Sequence, residues 1–148
     1  MLLKLCQYNN WANSLVLNTL IEATEITPIP DYCITLLSHI ANAQQIWTSR
    51  IRCTVQTVSV WQLHDLNTCK SMLLESGNEL SEVVENDRDK DRIITYKTST
   101  GADFETSVED ILLHIFNHGT YHRAQIARQM KESGLQPVNT DYIQYVRI

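Results

Sequence analysis

Five histidines are the side chains of this 148-residue sequence best suited to chemistry: His39, His64, His114, His118 and His122. Three of them stand at i, i+4 and i+8 of one segment. On a helix, residues four apart share a face, so neighbouring pairs can offer two imidazoles to one divalent ion. All three cannot, because eight residues span about 12 Å of helix axis. One pair must be chosen, and helical geometry chooses it. At about 100° per residue, Val108, Ile111, Leu112, Ile115, Gly119, Ile126 and Met130 define the apolar face of the segment. His122 falls near the centre of that face and His118 at its edge, while His114 lies further round, toward solvent. His118 and His122 are the inward pair.

A third ligand has to come from another helix. His39 qualifies, three residues after Leu36 and four before Ala43 on an apolar stripe. His64 sits in a connection beside Asp65 and is the weaker candidate. Three neutral imidazoles leave coordination positions open, the arrangement of a catalytic rather than a structural zinc site. Imidazole also suits nickel, copper and iron, so the spacing does not name the metal. Histidines four apart are common on helices that bind nothing. This pair differs in pointing inward and in having a third candidate.

No general acid or base stands out, and no catalytic residue is assigned. Glu22, Glu25, Glu109 and Asp110 fall near helix ends, where solvated carboxylates are normal. Arg123 adjoins a candidate ligand. It either grips a substrate carboxylate or pairs with a carboxylate on a neighbouring helix, the second being the commoner arrangement. Tyr121 either donates a hydrogen bond to the site or fills a gap between helices. Trp47, two helical turns beyond His39, and Trp11 line a pocket or belong to the core.

Four segments must position these side chains. Gly and Pro number only 4 and 3, which favours helices over a turn-rich β fold. Leu5, Tyr8, Ala12, Leu15, Val16 and Leu20 recur at helical spacing from Leu2 to about Ala23. Pro28 and Pro30 break the pattern and Asp31 is placed to cap a second helix, with Leu36, Ile40, Ala43, Trp47 and Ile51 as its stripe. Val55 to Val60 reads as a connection. A third helix should begin near Asp65 or Asn67 and bury Cys69, Met72, Leu73, Leu80, Val83 and Val84. The alternating charges from Glu85 to Arg92 read as a solvated helix end and loop. Ile93–Thr98 and Ala102–Thr106, around Ser99-Thr100-Gly101, predict a short hairpin. The fourth helix should run from about Ser107 to Ser133, opened by Ser107 with Asp110 and closed by Gly134 and Pro137. The aromatic tail from Asp141 to Arg147 should pack back on the body. The result is an all-α fold, a four-helix bundle with a small β-hairpin between helices 3 and 4, in a single domain spanning residues 1–148.

Composition excludes several classes of function. With 12 basic and 17 acidic residues the net charge is −5, which lacks the cationic footprint of a nucleic-acid or membrane-surface binder. No run approaches the ~18 apolar residues of a membrane span, and the first ten residues make a poor signal peptide, so a cytoplasmic protein is expected. Cys6, Cys33, Cys53 and Cys69 form no C-x-x-C pair and read as reduced, partly buried thiols.

Leu112-Leu113-His114-Ile115-Phe116-Asn117-His118-Gly119-Thr120-Tyr121-His122-Arg123-Ala124-Gln125 resembles the "LLHxxNHxxYHRGQ" signature of the DinB/YfiT-like family of bacterial metalloproteins. Tyr8 to Asn13 is similar to its "YNxWAN" opening, Leu36 to Ile40 with Trp47 to its "LxHI…W" helix, and Asp141-Tyr142-Ile143 to its closing "DYI". The resemblance covers nearly the whole chain. It implies an up-down-down-up bundle, a homodimer, and a divalent metal ion, zinc or nickel, on His39, His118 and His122. It implies no ligand role for His114, which is placed as structural or as a support to the ligands. It also implies a small-molecule substrate: related enzymes transfer low-molecular-weight thiols such as bacillithiol or mycothiol, or use them in isomerisation. A metallohydrolase on the same site and a non-catalytic metal- or ligand-binding stress protein are the other readings. One departure is visible, Ala124 in place of the family's Gly, which bears on close packing beside the site.

Overall fold

The computed structural model describes residues 1–148. Four long helices, α1 (Leu2–Thr24), α2 (Asp31–Arg52), α3 (Leu66–Asn86) and α4 (Val108–Glu132), are joined by loops and by one hairpin, β1 (Ile93–Lys97) with β2 (Asp103–Ser107). A four-residue helix, α5 (Tyr142–Tyr145), closes the chain.

Side-chain partners fix the helix directions. Cys6 meets Ser81 and Asn10 meets Gly77, so α1 and α3 run antiparallel. Ser38 meets Cys69 and Gln44 meets Ser76, so α2 and α3 run parallel. His39 meets His118, and Trp47 meets His114, so α2 and α4 run antiparallel. The order is up-down-down-up, as the resemblance implied. Parallel α2 and α3 need a return connection, and residues 53–65 supply it.

Local chemistry sets the ends. Asp65 accepts from the Thr68 amide at 2.7 Å and starts α3. Ser107 accepts from the Asp110 amide at 3.1 Å and donates its hydroxyl to the Asp110 carboxylate at 2.8 Å. At the far end of α4, Gly134 takes φ +79°. The Leu135 amide then reaches the Met130 carbonyl at 2.9 Å, and the Gly134 amide reaches Lys131, a Schellman closure. Asp31 does not cap α2: Pro30 holds the cap position and Asp31 is the first helical residue, where its charge favours the helix N-terminus.

Two apolar clusters fill the bundle. One gathers Val16, Leu20, Leu36, Leu37, Ile40 and Ile126 with their neighbours; the other gathers Leu80, Ile94, Val108, Ile111, Leu112 and Phe116 with theirs. Each fully buried aliphatic side chain contributes about 1.5–3 kcal/mol. Between them lies a polar layer that the apolar stripes do not announce. Asn9 and Asn13 donate to Gln44 Oε1 at 3.0 and 3.3 Å, and Gln44 donates to Ser76 at 2.9 Å. The α3 face is correspondingly different from its expected stripe. Ser76 and Gly77 are buried there, whereas Met72 and Val84 are half-buried.

The hairpin is antiparallel with Ile93 opposite Ser107 and Lys97 opposite Asp103. It is anchored by buried Ile94 and by Tyr96, whose ring stands edge-on to Trp47 at 5.0 Å. The tail packs back through Tyr8, which donates to the Thr140 carbonyl at 2.7 Å and meets Tyr142 and Tyr145 edge-on. Trp11 sits in this group, 5.5 Å from Tyr145. Cys6, Cys33 and Cys69 are buried and Cys53 is exposed, all as free thiols. No helix is long and apolar enough to cross a membrane.

Candidate metal centre

The α2–α4 contact places three imidazoles at one point. His39, His118 and His122 bring their ligating nitrogens within 4.8 Å of one another. His39 Nε2 and His118 Nε2 are the closest pair at 3.0 Å. A tetrahedral ion bound at 2.0–2.1 Å sets its nitrogens about 3.3 Å apart, so small side-chain rotations suffice to seat one.

The chemistry of the donor set fits a cation as well as the distances do. His39 Nδ1 is 3.0 Å from the Val60 carbonyl, which can only accept, so the His39 proton sits on Nδ1 and Nε2 keeps its lone pair. His122 Nδ1 donates to Gln125 Oε1 at 2.7 Å, with the same consequence. Metal-ligating histidines are held this way, with the remote N–H tied to an oxygen. His39 and His122 are buried, and His118 is half-buried. Burial, followed by the neighbouring His122, His39 and His114, pulls the His118 pKa down to about 3. Burial also lowers that of His39, partly opposed by its bond to Val60. Both imidazoles therefore stay neutral at physiological pH, the state a ligand needs.

The loop between α2 and α3 completes the site. Trp61 stacks flat on His39, ring centroids 3.8 Å apart and planes 6° from parallel. Asn42 donates to the Gln62 carbonyl at 2.7 Å, and the His64 ring meets Asn42 Oδ1 at 2.7 Å. His64 thus braces the loop and is no member of the trio. Neither Trp61 nor Val60 was visible as a site residue in the sequence. The available signal was a tryptophan and β-branched residues in an otherwise polar connection one loop away from His39.

A cleft of about 390 Å³ opens beside the trio, lined by His39, His118, His114, Trp47, Arg50 and Tyr96 among others. His114 is exposed and outside the trio, but its ring forms part of this wall, 5.1 Å from Trp47. Trp47 packs against the apolar cluster of Leu80, Ile111 and Phe116 and also forms a wall of the cleft.

Two expectations need correction. Arg123 meets neither a carboxylate nor the cleft. It is fully buried on the opposite side of α4, donating to Asn9 and Asn13 at 3.0 and 2.7 Å and to Thr120 at 3.0 Å. The asparagine carbonyls take the place of a counter-ion because α1 offers no acid there. Tyr121 fills no gap between helices. It is 62% exposed, its ring edge-on to His122 at 5.0 Å. Ala124 is also exposed, so the missing glycine changes no tight packing.

With the site in view, comparison with known proteins is decisive at the family level. Residues 33–148 match the sequence profile of the DinB family. The chain belongs to the DinB family. It is also similar to the protein named DinB of Bacillus subtilis (strain 168), at 22% identity over 97% of this chain and 92% of that one. All three imidazoles of this DinB-family chain lie within the matched residues.

Proposed function

We propose that this DinB-family protein is a metal-dependent enzyme that transfers a low-molecular-weight thiol to a small electrophile, with zinc or nickel held by His39, His118 and His122. The observation that carries the reading is the pair of anchored Nδ1 atoms, which leaves Nε2 lone pairs converging beside an open cleft. A divalent ion on three neutral ligands keeps its full charge and favours the thiolate of a bound thiol near neutral pH.

The chain's own residues do the rest. Val60 and Gln125 hold two imidazoles in orientation. Trp61 shields one face of His39 from water. No carboxylate lines the cleft. His114 lines the cleft beside the trio, where its imidazole is the side chain placed to take up the proton a thiol sheds. The reading places the protein as a homodimer in the cytoplasm, open to test by light scattering and fractionation.

The deciding experiment is metal analysis of gently purified protein beside the His118→Ala/His122→Ala double variant, followed by a screen of thiols against electrophiles. About one ion per chain, lost in the variant, with turnover that requires thiol, supports the proposal. Turnover of an ester or amide without thiol replaces it with a hydrolase. Metal without turnover across the panel leaves a binding protein.

A further inference from the structure

Helix α2 carries more than His39 into the cleft. Eight residues on, which is about 12 Å along the axis, Trp47 faces both His114 and Tyr96. Arg50, almost one turn further, lays its guanidinium carbon 4.4 Å from the Trp47 centroid and 4.5 Å from that of Tyr96. Phe104 of β2 stacks beyond Tyr96 at 6.2 Å. The cleft therefore begins at the imidazoles and ends at a cation, with aromatic walls between.

That cation has no counter-ion in the chain: no carboxylate lies within 4.0 Å of Arg50, and it is the arginine that lines the cleft. Its one hydrogen bond runs from Nη2 to the Lys97 carbonyl at 3.3 Å. A guanidinium carries five N–H donors in a planar fork, so most of them have no partner in the chain. Two rings hold the head group in place by cation–π attraction and leave its donor edge available to a planar or tetrahedral oxyanion. Partial burial lowers its pKa from the ordinary guanidinium value, and a guanidinium stays protonated in proteins.

We propose that Arg50 forms an anion subsite: the cleft takes a molecule with a carboxylate or phosphate on a flat apolar body, its anionic group on Arg50, whose backbone lies about three helical turns along α2 from His39. The subsite rests on the reading above for its chemistry, since it names the class of substrate that would reach the three histidines. A purely structural Arg50 would brace the hairpin against α2 and would have no preference among ligands.

The test compares 4-phenylbutyrate, phenethyl phosphate and the neutral 4-phenylbutyramide, each titrated into ¹⁵N-labelled protein with zinc and again after chelation. The chelated arm removes any pull of a metal on the acids. At least one acid should bind about tenfold more tightly than the amide in both arms, shifting the Trp47 indole and Arg50 Nε signals. Whichever acid leads assigns the group. Arg50→Gln should erase that preference while amide affinity and zinc content stay within about twofold. Equal binding of acid and amide, no binding of either acid up to about 20 mM, or a preference that survives Arg50→Gln overturns the proposal. The His118→Ala/His122→Ala variant separates the two readings. If it shows the metal assignment to be wrong yet keeps the acid preference, the subsite stands by itself.

Discussion

His39 Nε2 and His118 Nε2 face each other at 3.0 Å although 79 residues separate them in sequence. Two neutral imidazole nitrogens at that distance share either a proton or a cation. The His39 proton is committed to the Val60 carbonyl, so His39 Nε2 offers its lone pair either to an N–H of His118 Nε2 or to a cation held by both rings. The geometry is set by two antiparallel helices packed through their apolar faces, which makes it a rigid, pre-formed site.

His118→Ala and His122→Ala should each remove a donor without emptying the core, because neither side chain belongs to the two apolar clusters. We expect zinc or nickel content to fall from about one per chain to trace levels, with helical circular dichroism unchanged. Zinc at a thousandfold excess over Kd should stabilise the native protein by about 4 kcal/mol, read as a higher melting temperature, and should not stabilise the variants. Full occupancy in either variant would remove that residue from the ligand set.

Gln125→Ala should weaken metal binding about 10–100-fold, because the His122 Nδ1–H then loses the oxygen that fixes its tautomer. Gln125→Glu keeps an acceptor at the same reach and should retain binding. Competition with a chromophoric chelator measures both. Equal affinity in the alanine variant and the native protein would show that Gln125 does not orient the ligand.

The helices and the histidine trio were legible in the sequence because both depend on one periodicity. Spacing of 3.6 residues put His122 on the buried arc and His118 at its edge, which is where they lie. The same reasoning failed where burial is not apolar. Asn9, Asn13 and Gln44 belong to no apolar stripe and Arg123 was expected to meet a carboxylate, yet all four are buried and joined by one another's hydrogen bonds. Phe116 was left off the expected face for a related reason, since α4 packs against α1 as well as α2 and so buries a wider arc than one stripe. Trp61 was illegible because residues 53–65 have no period, and their path is set by Ser38, His39 and Asn42.

Acid should destabilise the metal-free protein earlier than its carboxylates require. The His118 pKa is about 3 in the folded state against an ordinary 6.5, and burial lowers His39 in the same direction. The unfolded chain therefore binds more protons between these values, so stability is complete above about pH 6.5 and falls as pH drops toward 3. The slope for one such group is at most about 1.4 kcal/mol per pH unit. Asp65 and Asp87, whose pKa values are lowered by hydrogen bonds from Thr68 and Arg92, act only below the ordinary carboxylate range. Urea midpoints at pH 7.5, 6 and 4.5 should decline in the native protein, and less steeply in His118→Ala. An identical slope in the variant would exclude His118 as the cause.

Trp61→Ala should expose the His39 ring that Trp61 now covers, while Val60 still holds Nδ1. Trp61 is itself 58% exposed, so the loss in global stability should stay below about 1 kcal/mol. Metal affinity should drop less than in Gln125→Ala, and Trp61→Phe should restore most of it. Trp61 also supplies a direct signal: a paramagnetic ion such as nickel bound beside His39 should quench its fluorescence, and that component should vanish in Trp61→Phe. Quenching that persists would place the ion elsewhere.

Gly119 and Arg123 make the sharpest packing prediction. A Cβ at Gly119 would stand 2.6 Å from Arg123 Nη1 and 2.9 Å from Asn9 Oδ1, so Gly119→Ala must displace a fully buried guanidinium from its two asparagine acceptors. Alanine is the better helix former by about 1 kcal/mol, which sets what packing strain has to exceed. Overpacking costs about 1–3 kcal/mol and a disturbed buried charge adds more, so net destabilisation is expected. Arg123→Met removes the charge but strands Asn9 and Asn13 Oδ1, at about 1–3 kcal/mol for each orphaned group. The double variant Gly119→Ala/Arg123→Met should therefore be more stable than the sum of the single changes, since the clash and the displaced charge disappear together. Urea unfolding of the four proteins measures the coupling. Additive losses would show that the guanidinium yields freely and that Gly119 is not there to make room for it.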